Sequence, residues 1–245
     1  MIKFFRKIRY DLMKKNKTGK YIKYAIGEII LVVIGILIAL QINNNNETKK
    51  SNKRLDNYEQ SLITELNDDL KSLNELDSLC NIYLKSIKNY NDYYNSKNPD
   101  INILVQKLDS IKMVKNLFNT RAYTIEDLIN TGNLSLFEIS IKNAILQLKD
   151  TQEIYEFYEK QSTSNLYDKE LEFDNSLDAL FHNGFSKKEH SSVKDWKFNL
   201  NSIQHRLNNN RIAQAINLFN YQIDIHERIR KDTEALLELL EKEIK

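Results

Sequence analysis

The sequence predicts an all-α protein, and three observations lead to that prediction. The 245 residues include one proline and five glycines, so helices can run far without interruption. Apolar residues recur at steps of three and four through most of the chain, as they do on one face of a helix. No stretch combines apolar/polar alternation with flanking turn residues, which is the pattern expected of a strand.

Residues 1–24 form a basic segment, with nine lysines and arginines against a single acid, Asp11. This charge lies directly before a hydrophobic run, which favours contact with anionic lipid over nucleic acid. Apolar residues spaced by three or four predict a short amphipathic helix on the membrane surface, and a disordered basic flank is the alternative. The apolar face consists of Ile2, Phe5, Ile8 and Leu12.

Residues 25–42 form an uninterrupted apolar run that carries one carboxylate, Glu28. Its length as a helix is about 27 Å, enough to cross the hydrocarbon core together with its flanking residues. It is longer than the apolar part of a usual signal peptide, and no cleavage site of small residues follows it. We therefore expect an uncleaved signal anchor, with Tyr21 and Tyr24 as interfacial anchors.

The distribution of basic residues predicts the orientation of this span. Positions 5–24 hold eight lysines and arginines, whereas positions 43–62 hold four. By the positive-inside rule, the N-terminus lies in the cytoplasm and residues 43–245 lie outside it.

A polar stalk is predicted for residues 43–54, and its asparagine run is consistent either with a loosened turn or with a continued helix. Residues 55–245 are predicted to form one extracytoplasmic antiparallel helical bundle. Each of its four or five amphipathic helices carries one apolar stripe, which it must bury against a neighbour to be stable. The first of them should run from residue 55 to Tyr94 and end before Pro99.

Local signals predict the remaining helix boundaries. Asp100 should cap a helix that extends to Leu117, and Gly132 should terminate a helix as its C-cap. Two pairs resemble capping boxes: Thr124 with Asp127, and Ser186 with Glu189. A helix beginning near residue 141 should continue weakly as far as Phe181 and end at Gly184, and the last helix should follow Asn208, Asn209 and Asn210.

One face of the predicted span carries small residues together with the carboxylate. At about 100° per residue, Val32, Gly35 and Ala39 all lie within about 40° of Glu28 around the helix. Small residues four apart allow two helices to approach closely, so this face is the predicted membrane helix contact face. The carboxylate is then an oligomer contact or a proton-binding group. Alternatively, it reaches back to the cytoplasmic interface and pairs with Lys20 or Lys23.

We expect no catalytic, cofactor-binding or metal-binding residues. The four histidines lack metal-ligand spacing on any helix face and are expected to be solvated or partly buried. The carboxylates Asp68, Asp69, Glu75 and Asp77 are expected on a solvated helix face. Cys80 is the only cysteine, so no internal disulfide can form. It is expected to be a small apolar residue in a helix or, in an oxidising compartment, the site of an intermolecular disulfide.

Four stretches together resemble a known family: the basic start 1–9, the span 24–44, the mid-chain segment 128–136 and the ending 236–244. This is an uncharacterised domain-of-unknown-function family of single-pass membrane proteins from Bacteroidota. The chain departs from the usual family pattern at Asn45, where a tryptophan is expected. The resemblance implies a Gram-negative inner-membrane protein with residues 43–245 in the periplasm, and it implies no activity.

These observations predict a membrane-anchored, non-catalytic interaction, scaffold or sensor protein. Its expected partners are the lipid bilayer and, through the span face, a second copy or another membrane protein, with no nucleic acid. The alternative is an accessory subunit of a proton-coupled membrane complex that uses Glu28.

Overall fold

The computed structural model describes Arg6, Tyr10 and residues 18–243, apart from the side chains at positions 18, 20 and 21. Every regular element in this part of the chain is a helix, which confirms the all-α prediction. The surface helix predicted for residues 1–24 falls mostly outside the described residues. The α-helices are α1 (Thr18–Tyr94), α2 (Ile101–Asp109), α3 (Tyr123–Thr131), α4 (Ile139–Asp174), α5 (Ala179–His182) and α6 (Ile203–Glu243), and 3-10 turns lie at Asn133–Leu136 and Trp196–Phe198.

The chain divides into two units, residues 1–57 and 58–245. In the first unit, α1 contains an 18-residue window of mean hydropathy 2.6 with no buried residue, so by length and composition this helix could cross a membrane. The polar residues 43–54 are helical, and Thr48 donates its hydroxyl hydrogen to the carbonyl oxygen of Asn44 at 3.0 Å. Of the two conformations considered for the asparagine run, the structure has the continued helix.

In the second unit, residues 58–94 of α1, together with α4 and α6, bury their side chains at alternating steps of three and four. This spacing averages 3.5 residues, the period at which helices keep one seam facing a neighbour. On α1 the buried series includes Leu62, Leu66, Asp69, Leu73, Cys80, Tyr83, Ile87 and Tyr90. On α4 it includes Ile141, Ile145, Leu148, Gln152, Tyr155 and Glu159. On α6 it includes His205, Asn208, Ile212, Ala215, Phe219, Gln222, His226, Ile229, Thr233, Leu236 and Leu240.

Side-chain contacts give the relative directions of these helices. Thr151 of α4 bonds to Asp232 of α6 at 2.6 Å, and Glu159, two turns later, accepts from Gln222 at 2.8 Å. Residue numbers rise on α4 as they fall on α6, so these two helices are antiparallel. Contacts of α6 with α1 follow the same order: Asp77 with His226, Cys80 with Gln222, and Tyr90 with His205.

The segment between α2 and α3 differs from the prediction. Asp100 caps α2 as expected, because its side chain accepts hydrogen bonds from the backbone amides of Asn102 and Ile103 at 2.8 and 3.2 Å. However, α2 ends at Asp109, and residues 111–121 have no regular structure, so the predicted helix to Leu117 is wrong. Tertiary hydrogen bonds replace helical ones there: the Asn116 side chain donates to Tyr83 at 3.2 Å, and the Asn116 backbone carbonyl accepts from Gln222 at 2.9 Å.

Around α3, one predicted boundary is confirmed and one is wrong. Gly132 is the C-cap, with a left-handed φ of +73°, which favours a residue without Cβ. Thr124 does not pair with Asp127 as a capping box, because it lies inside α3. Glu65 of α1 bonds to the first turn instead, accepting from the Thr124 amide at 3.1 Å and from its hydroxyl at 2.7 Å.

The region between α4 and α6 also differs from the prediction. Helix α4 ends at Asp174, and the four-residue α5 is a separate element capped by Asp178. Ser186 bonds to Lys188 in a turn, so the predicted capping box with Glu189 starts no helix. The last helix begins at Ile203, so the asparagine run 208–210 lies inside it and not before it. Asn208 is fully buried as a member of the packed series.

Candidate functional site

The predicted membrane contact face lies on the exposed part of α1. Val32 is 57% exposed, and Gly35 and Ala39 are exposed as well, whereas Glu28 is partly exposed. A Cβ added at Gly35 would meet nothing within 4 Å, so space remains there for a partner helix. Of the two predicted interfacial anchors, Tyr24 is 56% exposed. Tyr21 lies in the helix, but its side chain falls outside the described residues.

A chain of hydrogen-bonded polar side chains crosses the core of the second unit. His226 is fully buried, and its Nδ1 lies 2.6 Å from a carboxylate oxygen of Asp77. Arg230 donates to the other Asp77 oxygen at 2.5 Å. The second ring nitrogen of His226 lies 3.3 Å from the Tyr155 hydroxyl, which also bonds to Glu159. Because both ring nitrogens are engaged inside the protein, His226 presents neither of them to a ligand.

The chain continues from Glu159 to the connector between α2 and α3, residues 110–122, and back to α1. Gln222 donates its amide hydrogens to Glu159 at 2.8 Å and to the Asn116 carbonyl at 2.9 Å. The Gln222 carbonyl oxygen accepts a weak bond from the Cys80 thiol at 3.5 Å. Satisfied polar groups of this kind fix the register of packed helices, since any shift would leave them unpaired in the core.

Burial shifts the protonation equilibria of these groups. Desolvation raises the pKa of Glu159, although hydrogen bonds from Tyr155 and Gln222 act in the opposite direction. Desolvation lowers the pKa of His226 despite the neighbouring Asp77. Burial raises the pKa of Cys80 to about 11, and its thiol is therefore protonated at neutral pH.

A cleft of about 810 Å³ borders this polar chain. One wall is the connector from Lys115 to Ala122, and the other is a face of α4 on which Tyr155 and Glu159 lie. The buried Glu159 carboxyl group therefore lies at the boundary between the packed core and the cleft. The size of the cleft is that of a small-molecule or peptide site.

Hydrogen bonds from α1 hold the connector in place beside the cleft. The buried Asp69 accepts from the Thr120 hydroxyl at 2.8 Å and from the Arg121 amide at 3.0 Å. Thr120 in turn accepts from the Gln152 side chain of α4 at 2.8 Å. Asp69 of α1, Thr120 of the connector and Gln152 of α4 thus form one hydrogen-bonded series.

Several of these residues contradict the sequence-based expectations. Asp69 is 3% exposed, and His205 and His226 are 1% and 0% exposed, so none of them is solvated. Asp69, and not the neighbouring Leu70, occupies the buried position of the α1 series. The signal that could have found them is the strict alternation of three and four, which continues through polar positions on all three helices.

Comparison with known proteins places the chain in a family. Neither curated proteins nor solved structures give a match. A family model described as a family of unknown function, DUF6090, matches residues 28–225. That range covers most of the predicted span and most of the helical unit, including the cleft and Glu159. The chain therefore belongs to the DUF6090 family of unknown function.

Proposed function

We propose that this protein is a membrane-anchored, non-catalytic interaction or sensor protein. In this proposal, residues 25–42 cross the inner membrane with the N-terminus in the cytoplasm. The helices after the stalk form an antiparallel bundle in the periplasm that binds a ligand or partner.

The observation that carries the proposal is the exposed apolar stretch of α1. Ile29, Leu31 and Ile36 are each more than 60% exposed, and no residue of the most apolar window is buried. Exposure of so many aliphatic side chains to water costs about 25 cal/mol per Å². A bilayer removes that cost, and the excess of basic residues before the stretch supports the proposed orientation.

The contact face on this helix supports association inside the membrane. Gly35 leaves room for a second helix, and Ala39 and Glu28 lie on the same side. We propose that the partner is a second copy or another single-span protein. The cleft and the buried polar chain of the helical unit support a binding role outside the membrane.

The test is amine-reactive crosslinking in native membranes, followed by pull-down of the tagged chain. The exposed Lys49, Lys50 and Lys53 lie just beyond the span and provide crosslinking sites. We expect a crosslinked species that Gly35→Leu abolishes, because the larger side chain blocks close approach. Val33→Leu is the matched control, since Val33 lies about 160° around the helix from Gly35. Crosslinking that survives Gly35→Leu unchanged would reject the proposed contact face.

A further inference from the structure

A second pocket, of about 340 Å³, lies in the helical unit away from the cleft. Its floor is the first half of α6, where Asn208 and Arg211 line it. Its walls are aromatic and include Phe173 at the end of α4 and Trp196 in the second 3-10 turn. The volume lies at the lower end of the range for small-molecule sites and suits a ligand of a few carbon atoms or one ring.

Two buried hydrogen-bond donors belong to residues at this floor. Asn208 is fully buried, and its side-chain oxygen accepts from a terminal nitrogen of Arg211 at 2.7 Å. The Asn208 amide nitrogen and Arg211 Nε are buried atoms that find no partner among the described residues. Buried donors left unsatisfied cost about 1–3 kcal/mol each, so an acceptor group is expected to complete this site.

The charge at the floor is positive and is not balanced by a direct ion pair within the described residues. Burial lowers the pKa of the Arg211 guanidinium, although Glu170 and Asp174 raise it from a distance. Three acids line the pocket, and two of them, Asp109 and Asp178, are already engaged, whereas the third is Glu189. Asp109 pairs with Lys197 at 2.5 Å, and Asp178 accepts from backbone amides of α5 and of the following turn.

The aromatic walls fix the chemical character of the rest of the ligand. The Phe173 and Trp196 rings meet edge to face with centroids 5.3 Å apart. The Arg211 guanidinium lies over the Phe173 ring at 4.5 Å, which orients its planar fork beside an apolar surface. A planar, anionic acceptor attached to an apolar body fits this combination. The carboxylate of an organic acid is such an acceptor.

We propose that this pocket binds a small organic acid, with its carboxylate on Arg211 and Asn208 and its apolar body against Trp196 and Phe173. The inference rests on the proposed function and deepens it, because it names the class of ligand that the helical unit senses.

The test uses tryptophan fluorescence of the full chain in detergent micelles. Trp196 is the only tryptophan and lines this pocket, so binding there should change its emission on titration. The probes are 3-phenylpropionate and its uncharged amide, 3-phenylpropionamide. We expect a saturable change with the acid, and an apparent Kd at least about tenfold lower than that of the amide.

Two variants assign the effect to the guanidinium. Arg211→Gln should weaken acid binding at least about tenfold, whereas Arg206→Gln should leave it unchanged. Arg206 is exposed on the same helix and controls for loss of one positive charge. Circular dichroism melting checks that both variants are folded, and the comparison of acid with amide needs no variant at all.

Equal affinity for acid and amide, or no saturable change with either up to about 10 mM, would overturn the proposal. Acid binding that persists undiminished in folded Arg211→Gln would overturn it as well. None of these results would alter the membrane crosslinking outcome, so failure of this inference is distinguishable from failure of the proposed function.

Discussion

Glu159 and His226 belong to one hydrogen-bonded chain, yet burial shifts their pKa values in opposite directions. Both shifts favour the neutral form, because each group is removed from water. The buried chain therefore approaches neutrality at both ends, apart from the Asp77–Arg230 pair. This arrangement stabilises a polar core only while every member keeps its partner.

Glu159→Gln should change the pH dependence of stability in a defined direction. The raised pKa means that the stabilising contribution of this group is complete below about pH 4.5 and is lost as pH rises through the folded-state value. Gln keeps an acceptor for Tyr155 and removes the buried charge. The variant should therefore gain free energy of unfolding relative to the wild type as pH rises, by up to about 1.4 kcal/mol per pH unit. Urea unfolding at several pH values between about pH 4 and about pH 7 measures this difference in the free energy of unfolding.

The matched control for that experiment is Glu156→Gln, on the same helix. The pKa of Glu156 is lowered by the hydrogen bond from Lys160, so its contribution is present above about pH 4.5 and is lost as pH falls. Its removal should therefore shift the pH profile weakly and in the opposite sense. Identical profiles for the two variants would show that Glu159 is not a buried carboxyl group.

Cys80 should be unreactive in the native protein. It is 3% exposed, and its pKa of about 11 leaves a thiolate fraction on the order of one in a thousand at pH 8. A maleimide should label it only after unfolding in urea, whereas the exposed variant Ile82→Cys should label at once at its new site. Rapid labelling of native Cys80, followed by mass spectrometry, would contradict the packing of α1 against α6.

At the scale of elements, the long helices are predictable from sequence and the segments between them are not. The end of α1 before Pro99, the cap at Asp100 and the C-cap at Gly132 each depend on local chemistry. The connector depends instead on partners distant in sequence, such as Asp69 and Gln222, so its apolar spacing wrongly indicated a helix. The candidate site was missed for the same reason, because polar residues in a packed series look solvated until their partners are known.

The C-cap of α3 gives a prediction at this scale. Gly132→Ala should lower the free energy of unfolding by about 1 kcal/mol, because a Cβ is strained at a φ of +73°. Gly132→Asn should cost less, since asparagine tolerates the left-handed conformation. Thermal unfolding followed by circular dichroism measures both. Equal stability of the alanine variant and the wild type would contradict the observed cap.

The attachment of the connector to α1 gives a second prediction at this scale. Asp69→Ala should cost about 1–3 kcal/mol, because the Arg121 amide and the Thr120 hydroxyl lose their acceptor. Asp68→Ala is the control: that neighbouring residue forms an exposed ion pair with Arg121, worth about 0–1 kcal/mol. Hydrogen exchange of the connector amides should accelerate in the first variant alone. Equal exchange in both would place the anchoring of the connector elsewhere.

At the scale of the whole molecule, the predicted span and the helical unit are supported by different observations. Hydropathy and basic charge predicted the span, and the structure leaves that stretch unburied. The family match covers residues 28–225 and so includes parts of both units. The contact face, the compartment and the partner depend on molecules other than this chain. Its sequence therefore predicts only the chemical character of the surfaces that would meet them.

The most direct test of the central claim is the topology of the chain in the membrane. In intact spheroplasts, a membrane-impermeant maleimide should label Ile82→Cys, because an exposed residue of the helical unit would face the periplasm. It should label Arg6→Cys only after the membrane is permeabilised. Labelling of Arg6→Cys in intact spheroplasts, with Ile82→Cys protected until lysis, would contradict the proposed anchor and its orientation.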